Sequence, residues 1–152
     1  MKNITFKKHI SVDCVIFGYN EDDNKLEVLL IEQKEPSENS SHIYVPQFAL
    51  PGDLVNSDES LDDAATRVLK ELTHVEGLHL RQFYSFGDPN RVKQEKDIEW
   101  LKFYRSDPEA RVITVSYYTL VRKEIIKAMP GSFAKNVVWK NIKRVPAFSF
   151  LA

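Results

Sequence analysis

The sequence contains a single cysteine and no stretch in which about 18 apolar residues run together. The lone Cys14 has no partner for a disulfide, which excludes a disulfide-stapled secreted fold and favours a reducing compartment. Without a long apolar run we expect no transmembrane helix, and residues 1–9 alternate polar and apolar side chains instead of resembling a signal peptide. We therefore expect a cytoplasmic protein that contacts no membrane, with Cys14 in its core.

The chain also lacks an excess of basic residues. Its 21 Lys and Arg side chains are balanced by 22 Asp and Glu side chains, which gives a formal net charge of −1. Nucleic-acid backbones attract proteins that carry many positive charges, so we expect no nucleic acid to bind this chain alone. At 152 residues, the chain fits one domain over 1–152 that buries roughly 70% of its unfolded surface.

Alternating and β-branched residues predict most of the strands. Residues 9–20 and 26–33 flank the turn-forming segment 21–24, a pattern typical of a β-hairpin. Residues 78–86 and 111–122 are also predicted as strands.

A helix is predicted to begin after Ser60, because Asp63 follows three residues later as in a capping box. We expect the helix to end near His74, with Gly77 permitting the reversal of the chain. Its apolar side chains recur at helical spacing, at Leu61, Ala64, Ala65, Val68 and Leu72.

The segment between the last two predicted strands is too long for a tight hairpin loop. Its middle, residues 94–105, carries apolar side chains among charges and predicts a short helix. The insertion at 92–106, which contains Trp100, is either a lid over a pocket or an inert surface excursion.

One region resembles the Nudix box of pyrophosphohydrolases of the MutT type; the segments that carry this resemblance are 50–55, 58–60, 64–67 and 70–73. It implies an α/β (α+β) fold, a Nudix-like α/β/α sandwich with a mixed sheet. In the family, a Glu before the helix, an Arg-Glu pair and a later Glu-Glu pair act together. Metal-assisted hydrolysis needs several oxygen ligands on one face of a rigid helix, and Mg²⁺ is the metal expected if the protein is active.

The box is degenerate in this sequence. Glu59 and Arg67 match the family pattern, and Glu71 matches the first Glu of the late pair. Val68 and Leu72 replace the other two carboxylates, so an apolar stripe stands where oxygen ligands belong. We therefore expect impaired catalysis, no required cofactor, and at most a weak metal contact at Glu71.

Two backbone turns of the box are altered as well, because Asp53 and His74 stand where the family has glycines. The surviving side chains also have structural interpretations. Glu59 and Arg67 are expected to pair and to brace the loop against the helix. Glu71 is either solvated on the helix surface or retains a metal or ligand contact.

A second resemblance is narrower. Residues 82–91 and 111–118 are similar to segments of Nudix-derived transcription regulators, the NrtR type that senses ADP-ribose-like nucleotides and the AraR type that senses L-arabinose. In these regulators a Nudix-like domain binds an effector, and a C-terminal winged helix, which has no counterpart in this sequence, binds DNA. The resemblance implies a homodimer and a small-molecule effector that is a sugar or a nucleotide sugar.

Four side chains are candidate effector contacts. Arg91 and Arg111 match arginines that flank the corresponding loop of the regulators, and a guanidinium suits phosphate or sugar oxygens. The alternative is that both brace the loop against Asp88 or Asp107. Phe48 and Tyr84 either contact a base or a sugar face or belong to the core.

Three functions follow from these patterns. The first is a catalytically impaired, effector-binding domain of a sugar- or nucleotide-responsive regulator. The second is a hydrolase of nucleoside diphosphate derivatives such as ADP-ribose that recruits ligands outside the box, for example Glu71 with Glu109. The third is a dimerisation module in which Val68 and Leu72 simply pack.

Overall fold

The computed structural model describes residues 8–34, 46–91, 106 and 110–145. Within these ranges, one α-helix packs against a mixed sheet, which confirms the expected α+β class. No helix in the described ranges is long and apolar enough to cross a membrane. The strands are β1 (Lys8–Asn20), β2 (Lys25–Gln33), β3 (Phe48–Ala49), β4 (Gly52–Leu54), β5 (Arg81–Phe86), β6 (Arg111–Arg122) and β7 (Ala134–Asn141), and the helix α1 spans Leu61–Thr73.

The sheet is built around the long strand β1. Its main path runs in the order β3-β2-β1-β6-β5, with β4 paired to β1 and β7 paired to β2. Strands β1 and β6 are parallel over their whole length, from Lys8 opposite Arg111 to Tyr19 opposite Arg122, and the other pairings are antiparallel. The predicted hairpin is confirmed, because β1 pairs directly with β2.

The two faces of the sheet bury separate apolar clusters. On one face, Val12, Cys14 and Ile16 pack beneath α1, and this position confirms that Cys14 belongs to the core. Its thiol donates to the carbonyl oxygen of Ala65, 3.5 Å away, and burial raises its pKa. On the opposite face, a smaller cluster forms around Val28, Leu30 and Leu50.

Helix α1 begins as the sequence predicts. The Ser60 hydroxyl accepts a hydrogen bond from the backbone N–H of Asp63 and donates one to the Asp63 carboxylate, which completes the capping interaction. The first-turn carboxylates also suit the positive end of the helix dipole.

Helix α1 ends next to His74 as predicted, but the residue that reverses the chain is not Gly77. His74 itself adopts the left-handed conformation, with φ of 57°, and its backbone N–H donates to the Lys70 carbonyl. Gly77 also has a positive φ of 78°, but it follows the reversal instead of making it. His74 carries the strain of this backbone while its ring Nδ1 lies 2.8 Å from the Met129 carbonyl oxygen.

Two further boundaries can be compared with the sequence. Strand β6 coincides with the predicted residues 111–122. Strand β5 begins at Arg81 instead of residue 78; Leu78 and Leu80 precede it and pack against the core. The helix predicted at 94–105 lies outside the described residues.

Gly52 in β4 allows β4 to approach β1 closely. A Cβ at this position would lie 1.9 Å from the Asp13 carboxylate oxygen and 2.9 Å from the Val12 carbonyl oxygen. We expect Gly52→Ala to lower the free energy of unfolding by about 1 to 3 kcal/mol in urea denaturation, the usual cost of overpacking. The double variant Gly52→Ala with Asp13→Ala should recover part of this loss.

Gly87 provides the matched control, since a Cβ there would meet no atom within 4 Å. Gly87→Ala is expected to change the free energy of unfolding by less than about 1 kcal/mol. Equal losses at the two glycines would show that the contact with Asp13 does not constrain β4.

Candidate functional site

Arg67 lies at the centre of the box region. Its guanidinium donates to both carboxylate oxygens of Glu59, at 2.8 and 2.6 Å, and to the Leu54 carbonyl oxygen at 3.0 Å. A further N–H donates to the Glu71 carboxylate at 3.0 Å. The pairing expected between Glu59 and Arg67 is therefore present, and it fixes the box loop against the first two turns of α1.

The charges of this cluster stabilise one another. Hydrogen bonding from Arg67 is the main reason that the pKa of Glu59 falls from 4.5 to about 2. The backbone N–H of Asn56 also donates to Glu59, at 2.8 Å. The same pairing with Glu59 raises the pKa of Arg67 further above its ordinary value. Both groups are charged throughout the physiological range.

The two positions where the family has further carboxylates face the core. Val68 and Leu72 are 0% and 1% exposed and belong to the cluster beneath α1, together with Val12, Ile16 and Val115. Their side chains contribute to the packing of α1 against the sheet. Neither position opens onto a surface where a ligand or a metal ion would bind.

The remaining carboxylates do not fit a magnesium site. Glu71 is 50% exposed and already pairs with Arg67, and Glu59 is bound to the same guanidinium. Mg²⁺ in proteins is held by one or two carboxylates together with waters and substrate phosphates, in near-ideal octahedral geometry. Among the described residues, no group of three or more His, Cys, Asp or Glu side chains comes together in a way that would hold a metal ion. Glu109 lies outside them.

Two acidic residues near the box have structural contacts. The Asp53 carboxylate accepts from the backbone N–H of Leu54 at 2.8 Å. Asp62 accepts from the hydroxyl of Tyr117 at 2.6 Å, which connects the first turn of α1 to β6. Burial is the main cause of the raised pKa of Tyr117, and the hydrogen bond to Asp62 adds to it.

Three of the four predicted ligand contacts lie together near the edge strand β5. Tyr84 is 59% exposed and packs against the ring of Phe86, with 4.8 Å between ring centroids. Arg91 donates to the Thr114 hydroxyl at 2.7 Å and to the Val112 carbonyl oxygen at 3.2 Å.

Arg111 donates to the Gly87 carbonyl oxygen at 2.6 Å. Asp88 stabilises the same loop, because its carboxylate accepts from the backbone N–H of Asn90 at 2.7 Å. The loop after β5 is thus positioned by Asp88 within it and by a guanidinium from β6. Asp107 lies outside the described residues, as does Trp100.

Phe48 lies apart from this group. It sits in β3, while Tyr84 is in β5, and the two strands are the opposite ends of the main strand path, roughly 19 Å apart at the usual strand spacing. Phe48 packs beside Val28 and Leu30, and the Lys140 ammonium lies 5.0 Å from its ring centroid. The structure therefore does not bring Phe48 and Tyr84 to one ligand.

A polar patch on the sheet face opposite α1 was not identified from the sequence. It consists of Ser11 and Asp13 in β1 and of Thr114 and Ser116 in β6, which face one another in the parallel register. Ser11 and Thr114 hydrogen-bond at 2.8 Å, and Arg91 donates to Thr114. The available signal was the pair of polar residues at alternate positions in each apolar strand, but only the pairing of β1 with β6 brings them together.

A surface cavity of about 370 Å³ lies at the other end of β1. Its lining includes Asn20, Asp22, Lys123 and Trp139. Lys123 pairs with Glu27 at 2.6 Å, and its ammonium lies 5.9 Å from the centroid of the Trp139 ring. We place the candidate site near β5 and β6 instead, because three of the four predicted ligand contacts lie together there.

The pKa of Glu59 leads to a prediction about pH. Because the folded-state value is depressed, the charge of Glu59 stabilises the fold fully above about pH 4.5, and this contribution is lost as the pH falls through about 2. Glu59→Gln should therefore lower the free energy of unfolding at neutral pH, and the difference from wild type should shrink towards about pH 2. Urea unfolding between about pH 2 and 7 measures this difference in the free energy of unfolding. Asp58→Asn, at an exposed neighbouring position, is the control. A difference independent of pH would contradict this assignment.

Comparison with known proteins extends this description. The family model for the NUDIX domain matches residues 7–140. No curated protein matches the sequence significantly. Among solved structures, the chain resembles a MutT/nudix family protein from Enterococcus faecalis, with 33% identity and a TM-score of 0.67 over 89% of this chain and 44% of that one.

Two other similar structures are more distant in sequence. The NUDIX domain of Shewanella oneidensis NrtR, solved with ADP ribose, has 22% identity and a TM-score of 0.67 over 99% of this chain and 85% of that one. A bifunctional NMN adenylyltransferase/ADP ribose pyrophosphatase from Francisella tularensis has 19% identity and a TM-score of 0.63, over 90% of this chain and 34% of that one.

The two distant likenesses show a shared fold, and this chain spans less than half the length of the Enterococcus and Francisella chains. The NUDIX model, in contrast, matches most of the sequence. Its matched residues include the box loop, α1 and most of the sheet. The chain therefore belongs to the Nudix family.

Proposed function

We propose that this Nudix domain binds a sugar- or nucleotide-based small molecule without hydrolysing it, as the effector-binding domain of a transcription regulator. One observation carries the proposal: Val68 and Leu72, which replace carboxylates of the box, are fully buried in the apolar core. A homodimer, which the resemblance to regulators implies, is part of the same proposal.

Because these side chains are buried, a carboxylate could not replace either of them without disturbing the core. A carboxylate at either position would have to be moved from water into an apolar cluster without an opposite charge beside it. Arg67 meanwhile binds the two box carboxylates that remain. The residues of the box therefore act as a brace for the loop and the helix.

Similarity to other Nudix proteins supports the class of ligand. The NUDIX domain of the Shewanella regulator binds ADP ribose in its solved structure, and its fold matches nearly the whole of this chain. The clustering of Tyr84, Arg91 and Arg111 at one end of β5 and β6 supplies an aromatic ring and two guanidinium groups. Such groups suit a ligand with a ring and several oxygen atoms.

The alternative function is hydrolysis of a nucleoside diphosphate derivative. The exposed carboxylate of Glu71 favours it, as does the similarity to a bifunctional enzyme with ADP ribose pyrophosphatase activity. In this alternative, Glu71 would have to exchange Arg67 for a metal ion.

Product detection decides between the two functions. We expect mass spectrometry to find no turnover of ADP-ribose, NAD or nucleoside triphosphates by the wild-type protein with Mg²⁺ or Mn²⁺. The result that would overturn the proposal is metal-dependent turnover at ordinary enzymatic rates, about 1 s⁻¹ or faster. Glu71→Gln is then the diagnostic variant, because loss of that turnover would assign the metal to Glu71.

The burial of Val68 makes a second prediction. Val68→Glu restores the family's residue type but places a charge in the core, so it should lower the free energy of unfolding by about 3 kcal/mol or more. The control is Thr66→Glu, at an exposed position of the same helix, which should change it by less than about 0.5 kcal/mol. If Val68→Glu were as stable as the control, the position would have access to solvent, and the argument from burial would fail.

A further inference from the structure

We infer that two copies of this domain associate through an apolar patch on the sheet face opposite α1. The patch consists of Phe83 in β5 and of Tyr118 and Leu120 in β6. The inference rests on the proposed function, which includes a homodimer, and it names the surface that the two copies share.

The residues of the apolar patch lie side by side. In the parallel register, Tyr118 lies opposite Val15 and Leu120 lies opposite Phe17, so both project away from α1. Phe83 contacts Tyr118 edge to face, with 5.7 Å between the ring centroids. The strands therefore join two aromatic rings and a leucine into one surface, further along β6 than the polar patch.

The side chains of the apolar patch are open to solvent. Phe83 is 50% exposed, Tyr118 37% and Leu120 64%. Single exposed apolar side chains are ordinary, but a contiguous group of them on one face is typical of an interaction surface. The apolar patch is of the second kind, because its members are neighbours on one face.

The sheet face that carries the apolar patch is thinly covered. Within the described ranges, the cluster beneath α1 contains fifteen buried residues, whereas the cluster on the opposite face contains three. Val15 packs against this smaller cluster, and its neighbour in β6 is Tyr118. The apolar patch therefore continues the smaller cluster towards the edge of the sheet, where β5 is the last strand of the main path.

The charges around the apolar patch are compatible with a second copy. None of its three residues is charged, and Arg81, opposite Tyr118, lies at its border. Arg122, two residues after Leu120, already pairs with Glu21 at 3.1 Å. The hydroxyl of Tyr118 is both a donor and an acceptor, so it is complementary to the same hydroxyl of another copy. Two such surfaces meet without a charge at their centre.

The area of the apolar patch suits the centre of a dimer interface. A large aromatic side chain buries roughly 150–250 Å², so at these exposures the three residues offer on the order of 300 Å² per copy. A standard interface buries about 800 Å² per partner, with an apolar centre inside a polar rim. Phe and Tyr are among the residue types enriched in such centres.

Two-fold symmetry makes this interface sensitive to a single substitution. In a symmetric dimer both subunits present the same surface, so apolar area meets an equal apolar area and each contact occurs twice. A charge introduced into the apolar patch would therefore enter the interface from both sides and repel its own copy.

Sedimentation equilibrium of the wild-type protein tests the inference. We expect a dimer with a Kd of roughly 10 µM or lower. Leu120→Lys should raise this Kd at least about 30-fold, because two ammonium groups then enter the apolar centre. Phe83→Ala should raise it roughly ten-fold or more through the loss of apolar contact.

Met129→Lys is the matched control. Met129 is 61% exposed, close to the value for Leu120, but its backbone N–H donates to the Thr73 carbonyl at the end of α1, away from the apolar patch. The Kd of this variant should stay within about two-fold of wild type. Circular dichroism checks that each variant is folded, and Phe83→Ala decides the outcome if Leu120→Lys is not.

Two results would overturn the inference. One is a wild-type protein that remains monomeric at about 100 µM, which leaves the apolar patch to a different partner. The other is a dimer whose Kd responds equally to Leu120→Lys and Met129→Lys, because the copies would then meet elsewhere.

These failures are distinguishable from failure of the proposed function. A dimer formed elsewhere leaves the proposed homodimer intact. A monomer removes the homodimer but not the binding of a ligand without hydrolysis. Turnover of ADP-ribose overturns the proposed function and leaves the measured interface unaffected.

Discussion

The parallel pairing of β1 with β6 is the constraint on which the rest of the structure depends. It joins segments about 100 residues apart in the chain, as the hydrogen bond between Ser11 and Thr114 illustrates. Because side chains alternate along both strands, one register decides which residues share each face. A shift of one residue would place Asp13 beneath α1 and Cys14 on the other face.

This alternation places different kinds of side chain on the two faces of β1 and β6. The face beneath α1 is apolar, and Val68 and Leu72 complete it from the helix. The other face carries Ser11, Asp13, Thr114 and Ser116, and Arg91 donates to Thr114. In this chain the helix of the box therefore contributes packing, and the polar groups suited to a ligand belong to the sheet.

The local elements could be predicted because their signals are local. The hairpin, the capping interaction at Ser60 and strand β6 each depend on neighbouring residues, and the structure confirms them. Two features could not be predicted. The left-handed backbone at His74 lacks the expected glycine, and its ring contact with Met129 comes from a distant segment. The polar patch depends on the long-range pairing of β1 with β6. Alternation within each strand shows which residues share a face, but it does not show which strand lies beside it.

The brace around Arg67 holds the box loop and α1 together in a box in which Val68 and Leu72 replace two of the family's carboxylates. Glu59, Glu71 and the Leu54 carbonyl all bind one guanidinium, so a single side chain connects the loop and the helix. The contacts of this brace involve neither Val68 nor Leu72, which belong to the core. Apolar side chains there increase the buried area, and such area stabilises the domain. A carboxylate at these two positions would suit metal binding and an apolar side chain suits packing, and this sequence has the apolar side chains.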